Sequence, residues 1–91
     1  MDEAALRELV RRVIRRQEIP NRRPDRTWGG PGTGISCAIC DAPVRKEETE
    51  LEIEFAFDGD KPGFAVYHVH GPCFAMWELE QTTAKDGDPA H

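Results

Sequence analysis

The 91-residue sequence lacks the long apolar segments that carry a chain into or across a membrane. No apolar run approaches the roughly 18 to 20 residues that span a bilayer. The N-terminus, MDEAALREL, begins acidic and lacks the uninterrupted apolar stretch of a signal peptide. We therefore expect an intracellular, cytoplasmic protein without a membrane partner.

The patterns that mark common enzyme classes are also missing. No nucleophile lies in a context that pairs it with a base, and no paired acids stand out. The stretch GGPGTG is rich in glycine, but no Gly-Lys-Ser/Thr follows it, as a phosphate-binding loop requires. We therefore expect a protein that is not an enzyme.

Cysteine is scarce, and its number is odd. Three cysteines fit a disulfide framework poorly, but they fit a metal site that takes its fourth ligand from histidine. Only 38% of the residues are hydrophobic, so the core of so short a chain must be small. Small domains of this kind often need a metal or disulfide to be stable.

Charge is divided unevenly along the chain. Residues 1–28 hold eight arginines against five acids, whereas residues 29–91 hold four basic residues against twelve acids. The formal net charge of −5 is the sum of +3 for residues 1–28 and −8 for residues 29–91. The two parts therefore need separate interpretation.

The N-terminal segment, residues 1–19, predicts an amphipathic, arginine-rich helix that ends before Pro20. So short a helix is marginal alone, and its apolar face must cover this chain's own domain, a second copy or a protein partner. Self-association or partner binding is therefore expected through the apolar stripe, which consists of Leu6, Leu9, Val10, Val13 and Ile14. Proline and glycine throughout residues 20–36 predict a connector.

Residues 37–82 predict a small α+β module. TELEIEFAF, residues 49–57, alternates between an apolar and an acidic face, which is typical of a half-buried strand. A second β-type run, residues 63–70, completes a predicted hairpin before a short helix begins at Pro72. Residues 83–91 predict a disordered tail. The predicted apolar face comprises Leu51, Ile53, Phe55 and Phe57, and the acidic face comprises Glu50, Glu52 and Glu54.

Two ligand pairs indicate a zinc site. Cys37 and Cys40 are separated by two residues, and after a gap of twenty-nine residues His70 and Cys73 repeat that spacing. A two-residue gap lets one tight turn direct both side chains at a single metal ion. Four protein ligands close the coordination sphere of Zn²⁺, so we expect a structural metal. The turn that holds Cys37 and Cys40 (the knuckle), the hairpin and the first turn of the following helix would then form a treble-clef-like module.

Other interpretations of these residues remain open. The cysteines could be buried free thiols, a redox Cys-x-x-Cys pair or iron–sulfur ligands. A redox pair leaves His70 and Cys73 unexplained, and the spacing favours a site for one metal ion over an iron–sulfur cluster. His68 lies two residues from His70 on the same strand face and is the rival fourth ligand. His70 is preferred because it shares a turn with Cys73.

The sequences CAIC, LEIEF and YHVHGPCFAMW together resemble the zinc finger of the poly(ADP-ribose) polymerase type over residues 37–81. The resemblance implies a zinc-binding role for Cys37, Cys40, His70 and Cys73. That family binds DNA ends through basic residues, whereas the corresponding sheet face here is acidic. Its DNA-binding function is therefore not expected of this module.

Two binding functions follow from these features. The first is a protein-interaction module whose zinc is structural. The alternative is nucleic-acid binding through the arginine-rich helix and the connector, where the basic residues Arg22, Arg23 and Arg26 are interleaved with the aromatic Trp28. The helix arginines could instead face the acidic strand surface, within the chain or across a dimer.

Overall fold

Two helices and a three-stranded antiparallel sheet form the α+β fold of residues 2–86, the part of the chain that the computed structural model describes. The sheet order is β1-β2-β3, so each strand is hydrogen-bonded to its neighbour in sequence. None of the helices within these residues is long and apolar enough to cross a membrane. The elements are α1 (Glu3–Arg16), β1 (Arg26–Pro31), β2 (Thr49–Phe57), β3 (Gly63–His70) and α2 (Gly71–Asp86).

Local capping sets the limits of α1. The Asp2 carboxylate accepts a hydrogen bond from the Ala5 amide at 2.7 Å, which satisfies one free N–H group of the first turn. At the other end Gln17 adopts a left-handed conformation with φ of 54°, and its amide donates to carbonyls of the last turn. The amphipathic N-terminal helix predicted from the sequence is confirmed.

The predicted hairpin is confirmed with its strand bounds. Ile53 lies opposite Tyr67, and Leu51 lies opposite Val69. Because side chains alternate along a strand, these four residues share one face of the sheet, which packs against α2.

The connector predicted over residues 20–36 contains a strand, and this part of the prediction was wrong. β1 pairs antiparallel with β2, with Arg26 opposite Glu54 and Trp28 opposite Glu52. Glycine and proline give this segment a weak intrinsic β preference. It forms a strand nevertheless, because it pairs with a long half-buried strand.

Helix α2 is longer than the short helix predicted. It extends from Gly71 to Asp86, so it includes residues 83–86 of the predicted tail. Residues 87–91 of that tail lie outside the described residues.

The core lies between the two helices and one face of the sheet. Trp77 of α2 is fully buried and meets Phe55 edge-to-face, with the ring centroids 6.3 Å apart. Val10 and Val13 of α1 are also buried against this core. The buried apolar side chains are Val10, Val13, Ile19, Cys37, Ile39, Val44, Ile53, Phe55, Val69, Cys73, Met76 and Trp77.

Helix α1 docks on α2 of the same chain. Val10 and Val13 of the apolar stripe are buried there, and Leu6, Leu9 and Ile14 are partly buried. This packing occupies much of the surface that the sequence offered for self-association.

The contact between the helices has a polar component. Arg11 Nε donates to Glu80 Oε1 at 2.7 Å, and Arg7 Nε lies 3.3 Å from Glu80 Oε2. The Glu80 side chain is only 8% exposed, so its charge depends on these two guanidinium groups. These two arginines therefore face an acid of α2, rather than the acidic strand surface considered from the sequence.

Two residues of β2 depart from the predicted alternation of burial. Glu50 was assigned to an exposed acidic face but is 5% exposed, because Thr33 and His68 cover its carboxylate. Phe57 was assigned to the buried face but is 43% exposed at the last position of the strand.

Gly32 lies where two backbone segments approach each other closely. A Cβ at Gly32 would overlap the carbonyl of Arg45, whereas a Cβ at Gly30 would meet nothing within 4 Å. We expect Gly32→Ala to lower the free energy of unfolding by about 1 to 3 kcal/mol, because backbone must move to relieve the overlap. Urea denaturation beside Gly30→Ala measures the difference, and equal stability of the two variants would contradict it.

Candidate metal centre

Cys37 and Cys40 lie in a tight turn between two chain segments that run side by side. The Cys37 amide donates to the Ala42 carbonyl at 2.8 Å, and the Asp41 amide donates to the Cys37 carbonyl at 2.9 Å. Asp41 takes a left-handed conformation with φ of 66°, which closes the turn. The Ile39 amide lies 3.4 Å from Cys37 Sγ and donates to it. The two-residue gap thus forms the knuckle that the spacing predicts.

The knuckle is attached to the end of β3. The Ala38 amide donates to the His68 carbonyl at 2.8 Å. The His70 amide donates to Cys37 Sγ at 3.4 Å. These contacts place the first ligand pair beside the strand that carries the predicted histidine.

His70 and Cys73 come from the junction of a strand and a helix. His70 is the last residue of β3, and Cys73 lies in the first turn of α2. His70 Nδ1 lies 3.3 Å from Cys40 Sγ and 3.9 Å from Cys73 Sγ.

The structure brings together all four predicted ligands. One donor atom from each lies within 4.8 Å of the others, and the set could hold a metal ion. Donors bound tetrahedrally to zinc at about 2.0 to 2.3 Å lie roughly 3.4 to 3.8 Å apart, which is close to the distances from His70 Nδ1 to the two sulfur atoms. The three cysteines form no disulfide.

Glu48 holds the imidazole from its far side. Its Oε1 lies 3.3 Å from His70 Nε2 and accepts from the Arg45 amide at 2.8 Å. The Arg45 amide is the main reason that the pKa of Glu48 is lowered. A carboxylate on one imidazole nitrogen fixes the tautomer in which the other can bind a metal. Sequence reasoning missed Glu48, since no spacing rule connects it to the ligands.

The three sulfur atoms compete for protons. A hydrogen bond from the Cys73 thiol lowers the pKa of Cys37 to about 4, and the same bond raises the pKa of Cys73. Burial raises the pKa of Cys40. Burial and repulsion between the sulfur atoms thus oppose ionisation of all three thiols, and a cation bound between them would favour it.

His68 lies outside the sulfur cluster. Its Nδ1 lies 2.9 Å from Glu50 Oε2, on the outer side of the sheet. Of the two histidines considered from the sequence, the structure thus brings His70 to the cysteines.

The chain matches no family model, no curated protein and no solved structure. The resemblance to the poly(ADP-ribose) polymerase type of zinc finger therefore has no support from these comparisons. What remains is a Cys₃His cluster in a small α+β fold.

Proposed function

We propose that this chain is a protein-interaction module whose fold depends on one structural Zn²⁺. The observation that carries the proposal is the convergence of Cys37, Cys40, His70 and Cys73 at one point. Three thiolates and one imidazole in a tetrahedral set favour zinc over harder cations. Four protein ligands leave no coordination position for a substrate, so the proposed role of the metal is structural rather than catalytic.

The proposed zinc joins the knuckle, the end of β3 and the start of α2. This order of knuckle, hairpin and helix is that of a treble clef, which we propose as the architecture of residues 37–82. Binding of a structural zinc is worth roughly 10 to 16 kcal/mol at neutral pH, which is comparable with the stability of a whole domain.

The proposed partner surface is the outer face of the sheet, opposite the core. We define this outer face by Arg26, Trp28, Glu52, Glu54, Phe64, Val66 and His68. Phe64 is 69% exposed, and Trp28 and Val66 are each nearly half exposed. Exposed apolar side chains that share one face of a sheet are typical of interaction surfaces.

Charge indicates what kind of partner fits this outer face. Three thiolates and one Zn²⁺ together carry −1, so the zinc-bound chain has a formal charge of about −6. Glu52 and Glu54 lie among the exposed apolar side chains. We therefore propose a protein partner with an apolar centre and basic residues around it.

Contacts of Arg22 weigh against the alternative of nucleic-acid binding through the N-terminal segment. Arg22 donates to the Ala56 carbonyl, pairs with Asp25 at 3.0 Å and lies over the ring of Phe55. These contacts already occupy much of the guanidinium's donor capacity, so they weigh against its use for phosphate.

We expect Phe64→Ser combined with Val66→Ser to reduce partner capture at least about tenfold, since aromatic side chains often dominate binding energy. The matched control is Leu79→Ser, which changes a residue that is 50% exposed on α2. The measurement is quantitative affinity capture by the zinc-loaded chain from extract with and without nuclease treatment. Capture that the outer-face variant leaves unchanged, or material that nuclease removes, would contradict the proposal.

A further inference from the structure

A second group of metal-ligating side chains lies on the outer face, apart from the cysteines. Glu52 of β2 lies directly opposite His68 of β3. His68 Nδ1 is 2.9 Å from Glu50 Oε2 and 3.8 Å from Glu52 Oε1. One donor atom from each of the three residues lies within 4.8 Å of the others. The group therefore offers one imidazole nitrogen and two carboxylate oxygens to a single point.

Glu50 is held in place as metal-binding carboxylates usually are. Its Oε1 accepts from the Thr33 amide at 3.0 Å and from the Thr33 hydroxyl at 2.8 Å. These bonds leave Oε2 directed at His68, and the whole residue is 5% exposed. Hydrogen-bond donors behind a ligating carboxylate fix its orientation and strengthen metal binding.

Solvent reaches this group from one side. A groove beside it is lined by Trp28, Gly30, Thr33 and both glutamates. The side chains of Glu52 and His68 are 45% and 25% exposed. An ion held there could enter from solvent and keep water in its remaining coordination positions.

We propose that Glu50, Glu52 and His68 form a second site, for a divalent first-row transition metal ion. Nitrogen and carboxylate donors with open positions suit Zn²⁺, Co²⁺ or Mn²⁺, in contrast to the thiolate-rich first site. With three protein ligands and no thiolate, the second site binds more weakly than the first. Its donors are all distinct from those of the structural site, so this proposal goes beyond the structural zinc.

The test is a titration of the zinc-loaded full chain with Co²⁺ at neutral pH, followed by calorimetry and visible absorption. We expect one further equivalent of Co²⁺ to bind without a sulfur-to-cobalt charge-transfer band. Glu52→Gln and His68→Gln should each weaken this binding at least about tenfold. The control is Glu54→Gln, which removes the same charge from the same face of β2 and should change the affinity less than about twofold.

Glu52→Gln changes a half-exposed side chain, so its result does not depend on refolding a buried site. Retained zinc and unchanged thermal unfolding of each variant show that the first site is intact. Absence of a second equivalent would overturn the proposal, and so would binding that neither Glu52→Gln nor His68→Gln weakens. In that case the contact between His68 and Glu50 is only a structural hydrogen bond.

Discussion

Cys40→Ser is expected to abolish cooperative unfolding of the chain and its high-affinity zinc binding. The substitution removes a thiolate from the knuckle, while the other three ligands stay in place. A hydroxyl does not replace a thiolate as a ligand at neutral pH, so much of the roughly 10 to 16 kcal/mol of binding energy would be lost. Calorimetry of the wild type, the variant and the wild type in strong chelator measures the effect.

A matched histidine pair separates loss of a ligand from general damage to the strand. His70→Gln changes a proposed ligand at the end of β3, and His68→Gln changes a residue two positions earlier on the same strand. We expect His70→Gln to lose the structural zinc and His68→Gln to retain it, with a near-normal unfolding transition. A chain that unfolds identically with and without metal would contradict the proposed role of zinc.

Deletion of residues 1–20 is expected to cost about 4.5 to 9 kcal/mol of stability. Val10, Val13 and Ile19 are at most 1% exposed, and burying each such side chain contributes about 1.5 to 3 kcal/mol. The deletion also leaves the buried Glu80 carboxylate without its two arginine partners. Because domains of this kind are stable by only about 5 to 15 kcal/mol, the truncated chain should be largely unfolded or strongly destabilised.

Chemical denaturation of the zinc-loaded full and truncated chains measures this loss. A single-residue pair supports the comparison: Val13→Ala alters a buried position, and Arg12→Ala alters the exposed position beside it. Val13→Ala should lower the unfolding free energy by about 1 to 2 kcal/mol, and Arg12→Ala by less than about 0.5 kcal/mol. A truncated chain as stable as the full one would show that α1 is not part of the folded unit.

The elements that local pattern determines could be predicted from the sequence. β2 and β3 have the predicted bounds, because the alternation of side chains marks both strands and Gly71-Pro72 ends β3. The ligand pairs could also be found, since both have the two-residue spacing that lets two side chains reach one metal ion. Gly71-Pro72 also predicted that a strand carrying His70 ends there and that a helix carrying Cys73 begins.

Features that depend on tertiary pairing could not be predicted in this way. β1 has weak β propensity and becomes a strand only because β2 offers an unpaired edge. That pairing brings Thr33 over Glu50 and buries the Glu50 side chain, although the alternation along β2 had placed Glu50 on the exposed face. Glu48 contacts His70 across 22 residues of sequence, and no local pattern links the two.

X-ray absorption at the zinc edge of the purified full chain, carrying one equivalent of metal, tests the central claim most directly. The account predicts three sulfur atoms at about 2.3 Å and one nitrogen at about 2.0 Å around each zinc ion. Cys40→Ser should remove a sulfur from that shell or leave the protein without metal. A coordination shell of oxygen and nitrogen alone, or a folded chain that binds no zinc, would contradict the account.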